Sequence, residues 1–300
     1  MTVRTSALLL GLAAVSLCPA VSAQPLLVDN FDDGLAADRF SAPIFDTELG
    51  AVDGFVDFAF DYSTFGIPPV PGGTTTTGIR FVANPTDDGP DDEGVAIGIL
   101  SDFQLPADDF VVSMEVYAFS ANPDTDPTTE YITLGINAAA PNDPSNPALT
   151  DDVPARFDLS NGNGLAYQVI PDDGSGTGVV RFEDAGNADT GSQTILGSTI
   201  GDSPFGGDIF LNTWATITLA SIGGEVTYTA NGVLYDTFDN SAGTFSEGSI
   251  LLGLTDVFNS AISGDDVFLV VDNLVVDVPE PASAALLGLG GLAMLRRRSA

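Results

Sequence analysis

Gly223-Gly224-Glu225-Val226-Thr227-Tyr228-Thr229-Ala230-Asn231-Gly232-Val233-Leu234-Tyr235-Asp236-Thr237-Phe238 is the stretch that decides the fold class. Two runs rich in Val, Thr, Tyr and Phe flank an Asn-Gly pair. Asn-Gly supplies the two positive φ angles of a type I′ turn, so the stretch reads as a β-hairpin. Working outward, similar short runs recur at 26–31, 55–60, 79–83, 95–100, 110–119, 131–136, 165–170, 179–182, 214–220, 249–254 and 267–276. They are strand-length, rich in β-branched and aromatic residues, and divided by Gly, Pro, Asn and Asp clusters that make turns. No 3.6-residue periodicity is sustained away from the two ends. Segments 67–77, 84–93, 121–129 and 138–153 are polar, dense in Pro, Gly, Thr and Asp, and read as rim loops. The chain is predicted to be all-β.

Composition favours one packed body. With 44% hydrophobic residues and 19 Phe, residues 24–277 carry enough apolar material for one large β domain. Neither a Gly/Ser linker nor an internal repeat divides them. The charge is lopsided: the formal net charge is −34, histidine and lysine are absent, and the cations away from the ends are Arg39, Arg80, Arg156 and Arg181. Nucleic acid is excluded as a partner, because no basic surface exists to displace its counterions. The missing histidine excludes Ser-His-Asp and Cys-His nucleophiles and imidazole ligands for zinc. The missing lysine excludes a Walker-type phosphate grip. Two readings of the acidity stand. One is solubility outside the cell; the other is a saline or calcium-containing habitat, where self-repulsion is screened within about 8–10 Å or less.

Both ends read as addresses. Arg4 precedes an almost wholly apolar stretch, 6–17, and Val21-Ser22-Ala23 places small residues at −3 and −1 of a cleavage site. Residues 1–23 are therefore predicted to be a signal peptide, removed by signal peptidase so that the mature chain begins at Gln24. Cys18 leaves with it, and the mature chain has no thiol. Leu17 departs from a lipobox, which places Gly, Ala or Ser before the cysteine. At the other end stand Val278-Pro279-Glu280-Pro281-Ala282-Ser283, an uncharged apolar run at 284–295, and Arg296-Arg297-Arg298. The run is shorter than the ~20 residues that span a bilayer core unaided, and the arginines favour retention on the cytoplasmic face, leaving the bulk of the chain outside. Prolines on both sides of Glu280 keep that segment extended.

This order resembles the PEP-CTERM sorting tail of bacterial surface proteins. The resemblance implies an exosortase-type membrane peptidase as partner, with Pro279, Glu280 and Pro281 as the sorting motif. Arg296, Arg297 and Arg298 would be the membrane stop, and residues 278–300 a sorting segment that anchors the chain transiently through a short membrane helix. The expected location is the cell envelope or the extracellular space.

A second resemblance concerns the body of the chain. Trp214-Ala215-Thr216-Ile217-Thr218-Leu219, Gly223 to Tyr228, Asn231-Gly232, Gly248-Ser249-Ile250-Leu251-Leu252-Gly253 and Val271-Asp272-Asn273-Leu274 follow in the order of a jelly roll's closing half. They resemble the concanavalin A-like and laminin G-like domains, and Val28-Asp29-Asn30-Phe31-Asp32-Asp33-Gly34 resembles the first strand of the same domains. The resemblance implies a single jelly-roll β-sandwich of two antiparallel sheets over residues 24–277, with the first strand beside the last and Trp214 in the core. It does not transfer an activity.

It also implies a candidate metal site. Asp29 and Asp272 would lie on neighbouring terminal strands, where related carbohydrate-binding jelly rolls hold a structural calcium. Calcium takes six to eight oxygens, so backbone carbonyls and Asn side chains would complete the shell; the alternative is that these Asp-Asn pairs serve strand ends and turns. Asp124-Thr125-Asp126 with Thr128 and Glu130 alternates oxygen donors like the start of an EF-hand but lacks its later Gly and Glu. Asp87-Asp88 and Asp91-Asp92-Glu93 form another acidic cluster, and both clusters read first as solvated loops. Glu115, mid-strand, is the natural carboxylate for a glycosidase, but the alternating Glu-x-Asp-x-x-Glu strand of laminarinase-like enzymes is missing, and catalysis is not expected. Two functions remain: a structural or adhesive surface or matrix protein, and a calcium-supported carbohydrate-binding module for exopolysaccharide, which would need exposed aromatics on one face.

Overall fold

The computed structural model describes residues 25–47, 53–85, 95–107, 109–121, 131–138, 163–170, 178–185, 192–196, 211–245, 248–256 and 266–279. Within them lie fifteen strands. They are β1 (Leu27–Asp29), β2 (Ile44–Thr47), β3 (Gly54–Asp61), β4 (Thr77–Ala83), β5 (Val95–Leu105), β6 (Phe110–Ser120), β7 (Tyr131–Ala138), β8 (Asn163–Ile170), β9 (Gly178–Ala185), β10 (Ser192–Leu196), β11 (Trp214–Ile222), β12 (Glu225–Ala230), β13 (Val233–Asp239), β14 (Gly248–Asp256) and β15 (Val267–Asp277). Short 3₁₀ turns follow β1 and β3, at Ala36–Asp38 and Tyr62–Phe65. The predicted signal peptide, both acidic loop clusters and the tail from Glu280 onward lie outside the described residues. Among the described residues no helix is long and apolar enough to cross a membrane.

The strands form two antiparallel sheets. One runs β13-β12-β11-β6-β15-β4-β3 with β1 also paired to β15, and the other runs β10-β9-β8-β7-β14-β5-β2. The expected sandwich is present, and its first strand lies beside its last. Residue alternation explains how the sheets pack: Phe110, Val112, Met114, Val116 and Ala118 on β6 and Ala215, Ile217 and Leu219 on β11 point into one core between the sheets. Side chains of the opposite parity form the outer face.

The hairpin behaves as its turn chemistry requires. Asn231 and Gly232 take φ values of 48° and 76°, and Ala230 pairs with Val233 across them. Two strands lie beyond the expected set. β2 and β10 are edge strands of four and five residues between polar segments, too short to carry a clear alternation.

β15 changes parity in its middle. Leu269 and Val271 face the core before Asp272-Asn273, and Leu274 and Val276 face it afterwards. The register with β6 shifts between Asp272 and Val275, and Asn273 sits at φ 48°. This is a β-bulge: the extra residue resets which side chains point inward, and Asn tolerates the left-handed conformation better than most residues.

The sheets are also tied by polar groups. Asp236 on β13 accepts hydrogen bonds from the Tyr167 hydroxyl of β8 at 2.8 Å and from Arg181 of β9 at 2.6 Å. Arg181 lies over the Phe238 ring, and Tyr167 stacks on Tyr228 with centroids 4.6 Å apart. The Arg181 and Asp236 side chains are only 14% and 10% exposed, so each charge is largely desolvated and depends on the other. Asp236→Ala is expected to cost about 3 kcal/mol of unfolding free energy, read as a lowered urea midpoint at unchanged slope.

Candidate functional site

The outer face of the first sheet carries a second hydrophobic cluster. Phe60, Tyr62, Ile67, Val82, Tyr117, Phe268 and Val270 are buried there, with Phe65, Phe119 and Trp214 packed against them. The turn Tyr62–Phe65 and the loop after it cover this part of the sheet. Trp214 therefore packs, but on the outer face and not between the sheets. It meets Tyr62 and Tyr117 edge-on at 5.4 and 5.3 Å, and its indole N–H donates to the Pro68 carbonyl at 2.8 Å. Arg80 sits in the same region with its guanidinium near four rings, Phe55, Phe60, Phe65 and Phe268, at 4.3–5.6 Å.

Asp272 lies beneath Tyr62 and is 1% exposed. Its cross-strand neighbour on β6 is Glu115, which accepts a hydrogen bond from Thr216 at 2.8 Å. Two carboxyls thus share one side of the sheet, but that of Asp272 is sealed from solvent.

The Tyr62 hydroxyl points into this site. It lies 3.0 Å from the Thr75 carbonyl and 3.0 Å from Asp272 Oδ2. A phenol has one proton, and a carbonyl can only accept. The one phenolic proton is therefore directed at two acceptors, the Asp272 carboxyl and the Thr75 carbonyl. The Asp272 carboxyl is pushed up from 3.8 to about 7, chiefly by burial, with Asp32 and Glu115 adding repulsion against the opposing hydrogen bonds of Asn273 and Tyr62. Burial likewise raises the Tyr62 phenol, so it stays neutral.

Asp29 is held differently. Arg39 donates to its Oδ2 through Nε at 2.6 Å and to its Oδ1 through Nη2 at 2.8 Å, while the Phe31 N–H also donates to Oδ1 at 3.0 Å. Arg39 continues to Asp33 at 2.7 Å, and that hydrogen bond holds the Asp33 carboxyl below its usual range. Asp29 and Asp272 do lie on adjacent strands, Asp29 opposite Leu274. As placed they do not suit calcium: one carboxylate is gripped by a guanidinium, and the other carboxyl is buried beneath Tyr62, which raises it to about 7. Among the described residues no group of three or more His, Cys, Asp or Glu is arranged to hold a metal.

Sequence reasoning leaves Tyr62 unplaced and gives Arg39 and Asp32 no role. Arg39 carries a readable signal, since it is one of only four arginines away from the ends and follows a run of aspartates. Tyr62 carries none, because its partner Asp272 is 210 residues away.

β15 runs directly into the predicted sorting motif. Pro279 follows the strand after Val278 alone; Glu280, Pro281 and Arg296 to Arg298 lie outside the described residues. Residues 277–299 match the PEP-CTERM protein-sorting motif. The PEP-CTERM match begins on the last residue of β15, and it indicates an exported protein that is anchored in the membrane and then processed.

No curated protein matches the chain. Among solved structures, the chain is similar to a protein of unknown function with a galectin-like fold from Bacillus subtilis, at 10% identity and TM-score 0.47, covering 86% of this chain and 99% of that one. It is similar to the carbohydrate-binding module CBM66 from Bacillus subtilis at 15% identity and TM-score 0.36, covering 67% and 86%. It is also similar to the exoplasmic/lumenal domain of VIP36, solved in a Ca2+- and mannose-bound form, at 10% identity and TM-score 0.40, covering 80% and 85%.

The buried carboxyl has a pH signature. Because the folded value lies above the unfolded one, the stabilisation is complete below about 3.8 and is lost as pH rises through about 7. Asp272→Asn keeps the neutral form at every pH. Measured by urea unfolding, the variant is expected to gain on the parent by a few kcal/mol, on the order of 3–4, between pH 4 and pH 7, and by little above that.

Proposed function

We propose that the chain is a structural or adhesive protein of the bacterial envelope or extracellular matrix, without catalytic activity, delivered by its sorting tail and released or re-anchored after processing. The observation that carries this reading is the sorting-motif match at residues 277–299, directly abutting the last strand. The lack of catalysis is supported by the burial of Asp272, which leaves Glu115 without a solvent-facing carboxyl opposite it.

A sugar-binding face needs exposed aromatic rings to stack on pyranoses. Among the residues whose burial is described, Phe55 is the one exposed aromatic, while Tyr62, Tyr117, Tyr167 and Tyr228 are all buried. This supports the structural reading over a carbohydrate-binding one. Engagement of exopolysaccharide is the rival, and a thermal shift distinguishes the two.

Mass spectrometry of the protein recovered from its native envelope tests the proposal. The mature product is expected to begin at Gln24 and to lack Arg296-Arg297-Arg298; intact arginines in the mature product overturn the processing step. The melting temperature is expected not to move with exopolysaccharide from the producing cell, with or without calcium. A shift of several degrees would replace the structural role by a lectin-like one.

A further inference from the structure

The segment that roofs the outer-face cluster is closed at its own base. Between β3 and β4, the Tyr62 N–H donates to the Thr76 carbonyl at 2.9 Å, and the Thr76 hydroxyl donates to Asp61 at 2.8 Å. Asp61 pairs with Thr77 directly below this tie, so the ladder between β3 and β4 is complete without residues Tyr62–Thr76. Surface loops whose ends are joined in this way form compact units that open locally while the domain stays folded.

Within the segment the backbone is bonded to itself. Gly66 donates to Ser63, Ile67 to Tyr62 and Gly73 to Val70, and Gly66 and Gly72 take φ values of 75° and 82° that suit glycine. Its hold on the sheet comes from few side chains. Tyr62, Ile67 and Val70 are buried, whereas Pro68, Pro69 and Pro71–Thr75 are exposed. Two polar latches cross to the strands beneath: the Trp214 indole N–H meets the Pro68 carbonyl at 2.8 Å, and the Tyr62 hydroxyl meets Asp272 Oδ2 at 3.0 Å.

The second latch can change its charge. Around Asp272 stand Tyr62 from the segment above, Glu115 from β6 and Asp32 from the loop after β1, and the two carboxyls repel its ionised form. Tyr117, on the same side of β6 as Glu115, is a phenol that burial keeps neutral, as is Tyr62. Of the arginines on neighbouring elements, Arg39 is held by Asp29 and Asp33, and Arg80 lies among the rings of Phe55, Phe60, Phe65 and Phe268. An ionised Asp272 under the seated segment is therefore a desolvated charge beside two acids. Under a lifted segment the same charge is hydrated.

We infer that Tyr62–Thr76 is a strap that lifts from the sheet as one piece, and that Asp272 is its acid lock: neutral, it keeps the strap seated, and ionised, it favours the lifted state that bares Tyr117 and Trp214. The direction follows from linkage. The seated carboxyl titrates at about 7 and the hydrated one near 3.8, so the lifted fraction is lowest in acid, rises between these values and levels off above about 7. The surrounding pH would thus uncover an aromatic face on the body, whether or not the tail is processed.

Hydrogen exchange on the protein recovered from its producing cell tests the strap. Peptides covering 62–76 are followed by mass spectrometry from pH 4 to pH 8, with rates corrected for the intrinsic pH dependence of exchange. When reseating outpaces exchange, the corrected rate follows the lifted population. It is expected to rise about 100- to 1000-fold between pH 4 and pH 7 and then to level off. Asp272→Asn is expected to hold the strap at the acid rate throughout. Trp214→Phe, which loses the indole donor, is expected to exchange faster at every pH with the same slope. A parent strap whose corrected rate is flat, or an Asp272→Asn strap that follows the parent, overturns the lock. Strap and β6 peptides exchanging at one common rate overturn the strap, because the whole domain then opens together. The asparagine variant decides the matter even if Trp214→Phe does not fold.

Discussion

The pairing of β15 with β6, β4 and β1 is the constraint on which the first sheet depends. β15 is the last strand among the described residues and also an interior one, so β4 and β1 have no place in the sheet until it arrives. Closing β1 against β15 brings together residues separated by most of the domain, and such non-local pairings form late because their loop entropy is lost before contacts compensate it. The residues that complete the sheet are those directly before the sorting motif. Folding of the body and presentation of the tail are therefore one event in space, and a chain still held at its C-terminus has its final strand held there too.

Burying carboxyls in a chain with few cations demands particular solutions, and three are visible. Asp29 and Asp236 are each neutralised by an arginine, Arg39 and Arg181. Asp272 instead accepts from the Tyr62 hydroxyl and the Asn273 N–H, while burial pushes its carboxyl up to about 7. The third case arises from position, because the alternation of β15 turns Asp272 to the outer face just where the Tyr62 turn covers the sheet. The bulge that begins there returns Leu274 and Val276 to the core, where Leu27 can pack. One short stretch of β15 thus carries a desolvated carboxyl on one face and secures the pairing of the chain ends on the other.

What the sequence reveals follows from the range of each interaction. The hairpin at Glu225–Ala230 and Val233–Asp239 is legible nearly to the residue because Asn231-Gly232 fixes its turn locally. Long runs such as β6 and β15 are legible because their apolar residues recur. β2 and β10 are not, being short edge strands stabilised by neighbours far along the chain. Trp214 departs from its expected place for a reason that its own strand displays: it shares parity with Thr216 and Thr218, the half-exposed side, and not with Ala215, Ile217 and Leu219. Of the candidate site, Asp29 and Asp272 stand on adjacent strands as expected, but the groups that decide their chemistry, Arg39 and Tyr62, come from loops whose packing no local pattern encodes.

The position of the motif also constrains what the body can be. A domain meant to hold a ligand at a distance from the membrane needs a spacer between fold and anchor, and here the motif match begins on the final residue of β15. A net charge of −34 so near anionic head groups is repelled from them, by an amount that falls off within a Debye length of about 8 Å. Retention of the three arginines on the inner face and repulsion of the acidic body from the head groups act in the same direction, and both favour the body outside. Delivery outward is thus favoured by the same charge that repels the body from anionic surfaces.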